Sequence, residues 1–358
     1  MPADKKALIA GVTGIAGRHL ATLLAGSEDW ETVGVSRRPP PAPDASGAHI
    51  ALDLTDATAC QAALAGQEDV THIFYAARLD RPDPAAEAAI NRTMLANLVK
   101  AVAPRAPNLA HIQLVHGTKW YGNHLGRYKT PAKESDPRHM PPNFYFAQHD
   151  WLGAYQSGKP WRRSSLRPHT IYGIVTGQDH NLILLIAAYA TICKHLGLPL
   201  RFPGSQGRYD TVAQATDAGL LAKAMLWAAT TPACADRDFN IVNGDPFRWR
   251  QIWPRIAAFF DMEAGPVQPL DLARFMADKA ALWDEIVALH GLRPTPFADL
   301  GDWGWANGIL SPARDDVSSM IAARRAGFHE VEDNAAMFLR LLSDLRAGGY
   351  IPAAGGRP

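Results

Sequence analysis

The chain has 358 residues, 47% hydrophobic and 20% charged, enough apolar side chain for a sizeable core and too much for a disordered protein. Lysine plus arginine (36) nearly cancels aspartate plus glutamate (35), so no net field is available to hold a nucleic acid or an anionic membrane. Three scattered cysteines, Cys60, Cys193 and Cys234, fit neither a disulfide framework nor a zinc site and read as reduced packing residues.

In chain order, the opening MPADKKALIAGVTGIAG mimics an export signal, but Gly11, Gly14 and Gly17 break its apolar run and Arg18 ends it. A strand followed by a turn suits it better, and a cytoplasmic protein is the default. Ala7 to Ala10 is the first strand, and Ala16, Leu20, Leu23 and Leu24 then form one face of a helix closed by Gly26. Further strands are predicted at Thr32 to Val35, Thr71 to Tyr75, His111 to Val115, Ser164 to Leu166 and Phe239 to Val242, with a helix over Asp217 to Ala229. The apolar stretch Leu182 to Cys193 is too short to span a bilayer. Linker-like segments are the proline-rich Pro39 to Ala48 and Gly126 to Pro142, the second placed where a flap could cover a site. Beyond Asp245 the alternation fades, and Trp249, Trp253, Trp283, Trp303 and Trp305 point to a helical region whose tryptophans serve mainly as core. The fold expected is α/β, a Rossmann-type doubly wound parallel sheet with a smaller, mainly helical substrate lobe.

Gly11, Gly14 and Gly17 stand between a strand and a helix, spaced as a pyrophosphate cradle requires: a tight turn, a close backbone approach, and helix against sheet. Thr13, Ile15 and Ala16 complete the turn, and the helix start offers its free amides to phosphate. The second strand ends in Ser36, Arg37 and Arg38 where an NAD-specific protein carries an acid. A guanidinium fork matches a 2′-phosphate, so NADPH is the coenzyme expected. Asp53 and Leu54 are placed to contact adenine, and Ala76 and Ala77 are small where backbone passes close to the cofactor.

In the short-chain dehydrogenase/reductase fold a tyrosine acts on the substrate oxygen, usually four residues before a lysine. Tyr155 and Lys159 match literally but fail physically: Gly158 and Pro160 flank the lysine, and the next strand follows too soon for the required helix. Tyr145 has room for that helix, yet position 149 is histidine; the ammonium is found instead at Lys119, just past the His111 to Val115 strand. Ligands in open α/β sheets lie at the carboxyl ends of strands, so Lys119 and Tyr145 can converge from different elements. The alternatives are a buried aromatic and a solvated turn.

At these residues the chain resembles the progesterone 5β-reductase and iridoid synthase-like enzymes, an atypical branch of the extended short-chain dehydrogenases. The landmarks run over nearly the whole chain: GVTGIAG (Gly11 to Gly17), GVSRR (Gly34 to Arg38), DVTHIFY (Asp69 to Tyr75), NFYF (Asn143 to Phe146), RPHTIYG (Arg167 to Gly173), ICKH (Ile192 to His195), FNIVNGD (Phe239 to Asp245) and WDEIV (Trp283 to Val287). The resemblance implies a lysine preceding the tyrosine, as Lys119 precedes Tyr145, and an arginine pair associated with NADPH. Departures are Phe146 for a usual second tyrosine, His149 at an acidic position, and Trp120-Tyr121-Gly122-Asn123 after the lysine, so the family's steroid and monoterpenoid substrates do not transfer directly.

The activity expected is NADPH-dependent 1,4-reduction of a small hydrophobic enone or enal, with Tyr145 and Lys119 catalytic. His116 and Tyr145 join the coenzyme contacts, and His169 and Ile171 meet the nicotinamide carboxamide through their backbone. The alternatives are 1,2-reduction of a carbonyl, as in an alcohol dehydrogenase, and a non-catalytic NADP(H) sensor. No metal, nucleic acid or membrane is expected, and a homodimer is implied by the resemblance alone. A discontinuous NADP(H)-binding domain is expected over 1–172 and 208–246, and a substrate-binding lobe over 173–207 and 247–358.

Overall fold

Ala7, Leu8, Ile9 and Ala10 are each fully buried, and an apolar run covered on both faces is what a central parallel strand requires. In the computed structural model, which describes residues 4–39 and 47–355, this run is β1 (Lys5–Ala10). It pairs in parallel with β2 (Trp30–Ser36) on one side. Beyond β2 lies β3 (Ala48–Ala51), and on the other side of β1 come β4 (His72–Tyr75), β5 (His111–Val115), β6 (Arg162–Pro168) and β7 (Arg237–Ile241). The order is β7-β6-β5-β4-β1-β2-β3 and every pairing is parallel. This is the doubly wound Rossmann arrangement, reversing direction at β1 and β4. The six strands expected from sequence are present: β1, β2 and β6 extend further than expected, β5 keeps its expected bounds, β4 starts one residue later, and β7 is shifted toward the N-terminus. Most of segment 39–48 falls outside the described residues.

The connecting helices are α1 (Ile15–Ala25), α2 (Ala57–Ala63), α3 (Pro84–Val102), α4 (Phe144–Gln156) and α5 (Ala218–Thr230). Their starts are chemically marked. Asp56 and Asp83 cap α2 and α3 by accepting from backbone amides, and Pro84 occupies the first turn of α3, where its missing N–H costs nothing. Leu8, Val33, Ile73 and Ile112 from the sheet pack with Leu95, Leu98 and Val99 of α3. Each such side chain contributes roughly 1.5–3 kcal/mol on burial.

The chain forms two compact units. The first comprises Met1–His169, Ala218–Val242 and Ser318–His329; the second Thr170–Asp217, Asn243–Val317 and Glu330–Pro358. Ser318–His329 belongs with the sheet because Phe328 packs on Trp227 with ring centroids 5.1 Å apart and Met320 accepts from the Val242 amide at 3.3 Å. The second unit has its own core. Helix Leu182–His195 buries the whole stretch 182–193, which meets Trp249, Trp253 and Trp283. The Trp253 indole donates to the Leu200 carbonyl (3.1 Å) and that of Trp283 to Thr295 (2.9 Å), so both polar tips are satisfied inside. Trp303 is buried, and Trp305 is half-buried and stacks on His180 at 4.9 Å. The three cysteines are free and buried, and burial pushes each thiol up to about 11. Among the described residues no helix is long and apolar enough to cross a membrane.

Candidate active site

The glycine turn sits at the switch point. Gly11 has φ +80°, a left-handed conformation, and a Cβ there would stand 2.8 Å from the Ala76 carbonyl and the Ala77 amide. A Cβ on Gly17 would stand 2.3 Å from the Gly11 carbonyl. Both positions therefore demand glycine, and the backbone of Ala76 and Ala77 lies against the turn. Gly14 is the N-cap of α1 and offers no side chain to the first amides, at Ile15, Ala16 and Gly17, while the first turn carries no acid. Hence a cradle a Cβ would fill, with free amides and the positive end of a helix dipole, fits the diphosphate of a dinucleotide. Thr13 lies within this turn.

At the next strand tip the Ser36 hydroxyl donates to the Arg38 carbonyl (2.6 Å) and meets His49 Nε2 at 2.8 Å. This turn leaves Arg37 and Arg38 exposed. Asp53 accepts from the Thr55 amide (2.9 Å) and hydroxyl (2.8 Å), and these bonds, with the nearby Arg37 charge, hold its carboxyl below the usual range. Arg37 and Asp53 thus share one edge. The side chain of the neighbouring Leu54 lies in the core.

Lys119 belongs to a short 3-10 turn, Thr118–Tyr121, just past β5, and Tyr145 to the first turn of α4. Asn143 ties the two together. Its Nδ2 donates to the Lys119 carbonyl at 2.8 Å, while its Oδ1 accepts from the Tyr145 amide at 2.9 Å as the cap of α4. Gly117 completes the joint: a Cβ there would sit 3.0 Å from the Tyr145 hydroxyl, so the phenol reaches the end of β5 only because position 117 is bare. Tyr145 packs between Phe144 (4.2 Å between centroids) and His116 (4.7 Å). Burial pushes its hydroxyl up to about 12 against the opposing pull of the Arg78 charge, so it is a neutral hydrogen-bond donor. Lys119 is half-buried, and burial, then Arg78, lowers its pKa from the ordinary lysine value while Glu87 and Asp80 raise it.

His116 is buried and stacks on Trp120 at 5.8 Å. Burial, with the His149 and Arg167 charges, takes its pKa well below normal and leaves the imidazole neutral. Behind Trp120 the Arg167 guanidinium lies 3.7 Å from the ring centroid and donates to Asp238 at 2.7 Å. His149, where a helical lysine was sought, faces the same carboxylate at 3.2 Å. Tyr155 and Lys159 form no such pair: the ammonium only stands 5.9 Å over the Tyr155 ring, beyond the end of α4. The segment 126–142 is fastened at its middle to β7, where the Asn240 amide donates to Glu134 (2.7 Å) and Asn240 Nδ2 to the Ala132 carbonyl (3.2 Å).

His169, at the end of β6, is buried with its Nε2 2.8 Å from the Ser318 hydroxyl. Ile171 lies in the second unit, paired in parallel with Thr216, and the neighbouring Thr170 carbonyl accepts from the Thr216 amide at 3.1 Å. Sequence reasoning overlooked Asn143 and Gly117. The first was signalled by its place before a helical run; the second carried no signal, because its neighbour arrives from another element.

Sheet order, switch point and cradle define a Rossmann-type dinucleotide-binding protein of the short-chain dehydrogenase/reductase architecture. A PRISE-like Rossmann-fold domain matches residues 50–352, and the chain belongs to that family. It is 35% identical to an (S)-8-oxocitronellyl enol synthase of Nepeta racemosa, over 98% of this chain and 94% of the relative. It is 33% identical to a 3-oxo-Δ4,5-steroid 5β-reductase of Arabidopsis thaliana, again over 98% and 94%. Among solved structures, RMD from Pseudomonas aeruginosa complexed with NADPH superposes with a TM-score of 0.67 at 18% identity, covering 97% of this chain and 99% of the other, a likeness of fold.

Proposed function

We propose that this protein is an NADPH-dependent oxidoreductase that reduces the activated C=C bond of a small hydrophobic enone or enal. The observation that supports the site assignment is the Asn143 bridge, which ties the backbone of the Lys119 turn to the helix start that carries the buried Tyr145, at the carboxyl end of the sheet. The family and its two named relatives, an enol synthase and an enone-steroid reductase, support conjugate reduction. The first unit then serves as the coenzyme domain and the second as the substrate lobe. A cytoplasmic homodimer remains part of the reading.

NADPH, when bound, supplies a hydride for the β-carbon. Its diphosphate would be held by the amides following Gly14, and its 2′-phosphate by Arg37 and Arg38. As negative charge gathers on the substrate carbonyl oxygen, Tyr145 donates a hydrogen bond that strengthens with it, and the Lys119 ammonium adds positive potential. Because the Tyr145 hydroxyl keeps its proton up to about pH 12, it acts as a donor across the working range. His116, neutral and packed against the phenol, keeps it aimed without adding charge.

The test is NADPH consumption over small enones, enals and saturated ketones, with product identification. A saturated ketone or aldehyde supports the proposal. An allylic alcohol makes the protein a carbonyl reductase, and coenzyme binding without turnover makes it a sensor.

A further inference from the structure

Arg78 lies two residues after Ala76, on the loop that leaves β4 at the same sheet edge as the glycine turn. Its guanidinium pairs with Asp80 and with Glu87 of the first turn of α3 (3.1 Å), and stands 5.2 Å over the ring of Phe144. Phe144 in turn packs on Tyr145. The loop is pinned from below. Asn91, fully buried, accepts from the Leu79 amide (2.9 Å) and donates to the Leu79 carbonyl (2.7 Å), while Gln148 of α4 donates to the Asn91 carbonyl (3.2 Å). A side chain of many rotamers is thereby held over the ring that packs on Tyr145, and holding it costs entropy that a solvated arginine would not lose.

We propose that Arg78 is a positioning residue of this site: a clamped guanidinium that fixes the ring beside Tyr145 and balances Glu87 and Asp80, so that these carboxylates do not capture the Lys119 ammonium. The proposal rests on the assignment of Tyr145 and Lys119 above. The charges that act on Lys119 are Arg78 and Asp80 from the loop after β4 and Glu87 from α3. Tyr145 on α4 feels the same three charges. Two cations and two carboxylates thus form a balanced set, and deleting one charge tips it in a direction fixed by sign.

The experiment is kcat against pH with NADPH and a small cyclic enone, for the parent and for Arg78→Met, Arg78→Lys, Glu87→Gln, Arg78→Met/Glu87→Gln and Lys119→Met. Losing a cation leaves the carboxylates to favour the ammonium, so Arg78→Met is expected to move the alkaline limb up by about one pH unit. Glu87→Gln is expected to move it down, and the double variant to return it close to the parental position. Arg78→Lys keeps the charge and is expected to keep the limb. Should Arg78→Met not fold, the downward shift in Glu87→Gln and the unmoved limb in Arg78→Lys carry the test. A limb that vanishes in Lys119→Met yet stands still in both single-charge variants, or moves the same way in both, overturns the role of Arg78 alone. A limb that persists in Lys119→Met overturns the reading of Lys119, and Arg78 with it.

Discussion

Replacing Tyr145 by phenylalanine removes one oxygen and leaves the rest of the joint in place. The ring keeps its contacts with Phe144 and His116, at 4.2 and 4.7 Å between centroids, and the Asn143 bond to the backbone amide of residue 145 does not involve the side chain. Coenzyme affinity and stability are therefore expected to be unchanged. Turnover is not. One preorganised donor aimed at developing charge is worth about 2.7–4 kcal/mol, a factor of about 10²–10³ in kcat. Lys119 remains in the variant and sets a floor, which keeps the loss from reaching zero activity. Because the hydroxyl titrates only at about 12, the ratio of parent to variant should be flat from acid to moderately alkaline pH. The assay is single-turnover loss of NADPH absorbance with saturating enone, paired with a fluorescence titration of NADPH. A variant that reduces the enone at the parental rate refutes the role of the phenol. One that loses NADPH affinity in proportion to rate shows that the residue serves the coenzyme instead.

Arg37→Ala is expected to weaken NADPH by roughly 1.5–3 kcal/mol, the worth of a hydrogen bond to a charged group, and to leave NADH unchanged; calorimetric titration of both coenzymes measures the difference. Gly117→Ala would put a methyl 3.0 Å from the Tyr145 hydroxyl, so kcat should fall while the NADPH dissociation constant holds, a split that steady-state kinetics resolves. Asp238→Asn leaves Arg167, 1% exposed, without its counter-charge and should cost about 3–5 kcal/mol in urea denaturation at neutral pH. Although burial pushes the Asp238 carboxyl upward, His149 and Arg167 outweigh it and hold the folded pKa below the ordinary value. Its contribution is thus present above the unfolded carboxylate pKa of about 3.9 and lost as pH falls through the folded value, so the variant should show a shallower acid loss of stability.

What was legible in the sequence was what is local. Two glycines of the cradle answer a local constraint: Gly11 a positive φ, Gly17 the approach of its own turn. The central strands were readable because both faces are buried and the apolar run is unbroken. The edge strand β3 escaped notice for the opposite reason, having only four residues with exposed ends. Lys119 and Tyr145 were recognisable as residue types, but the amide joining them was not, since its second bond crosses a long loop. Spacing does not give side-chain direction or unit membership: the Leu54 side chain turns into the core, and Ile171 lies in the second unit. The return of Ser318–His329 to the first unit, after a long excursion, left no trace in any periodicity.

The joint made by Asn143 has a consequence for how such a protein could diversify. Since one short carboxamide grips the lysine turn and the helix start directly, the stretch between them is relieved of the task of setting their separation. Insertions and exchanges outside the Ala132–Glu134 anchor would then leave the Lys119 turn and the start of α4 in register. A chimera carrying a foreign stretch there would be expected to inherit a new substrate range along with the old chemistry.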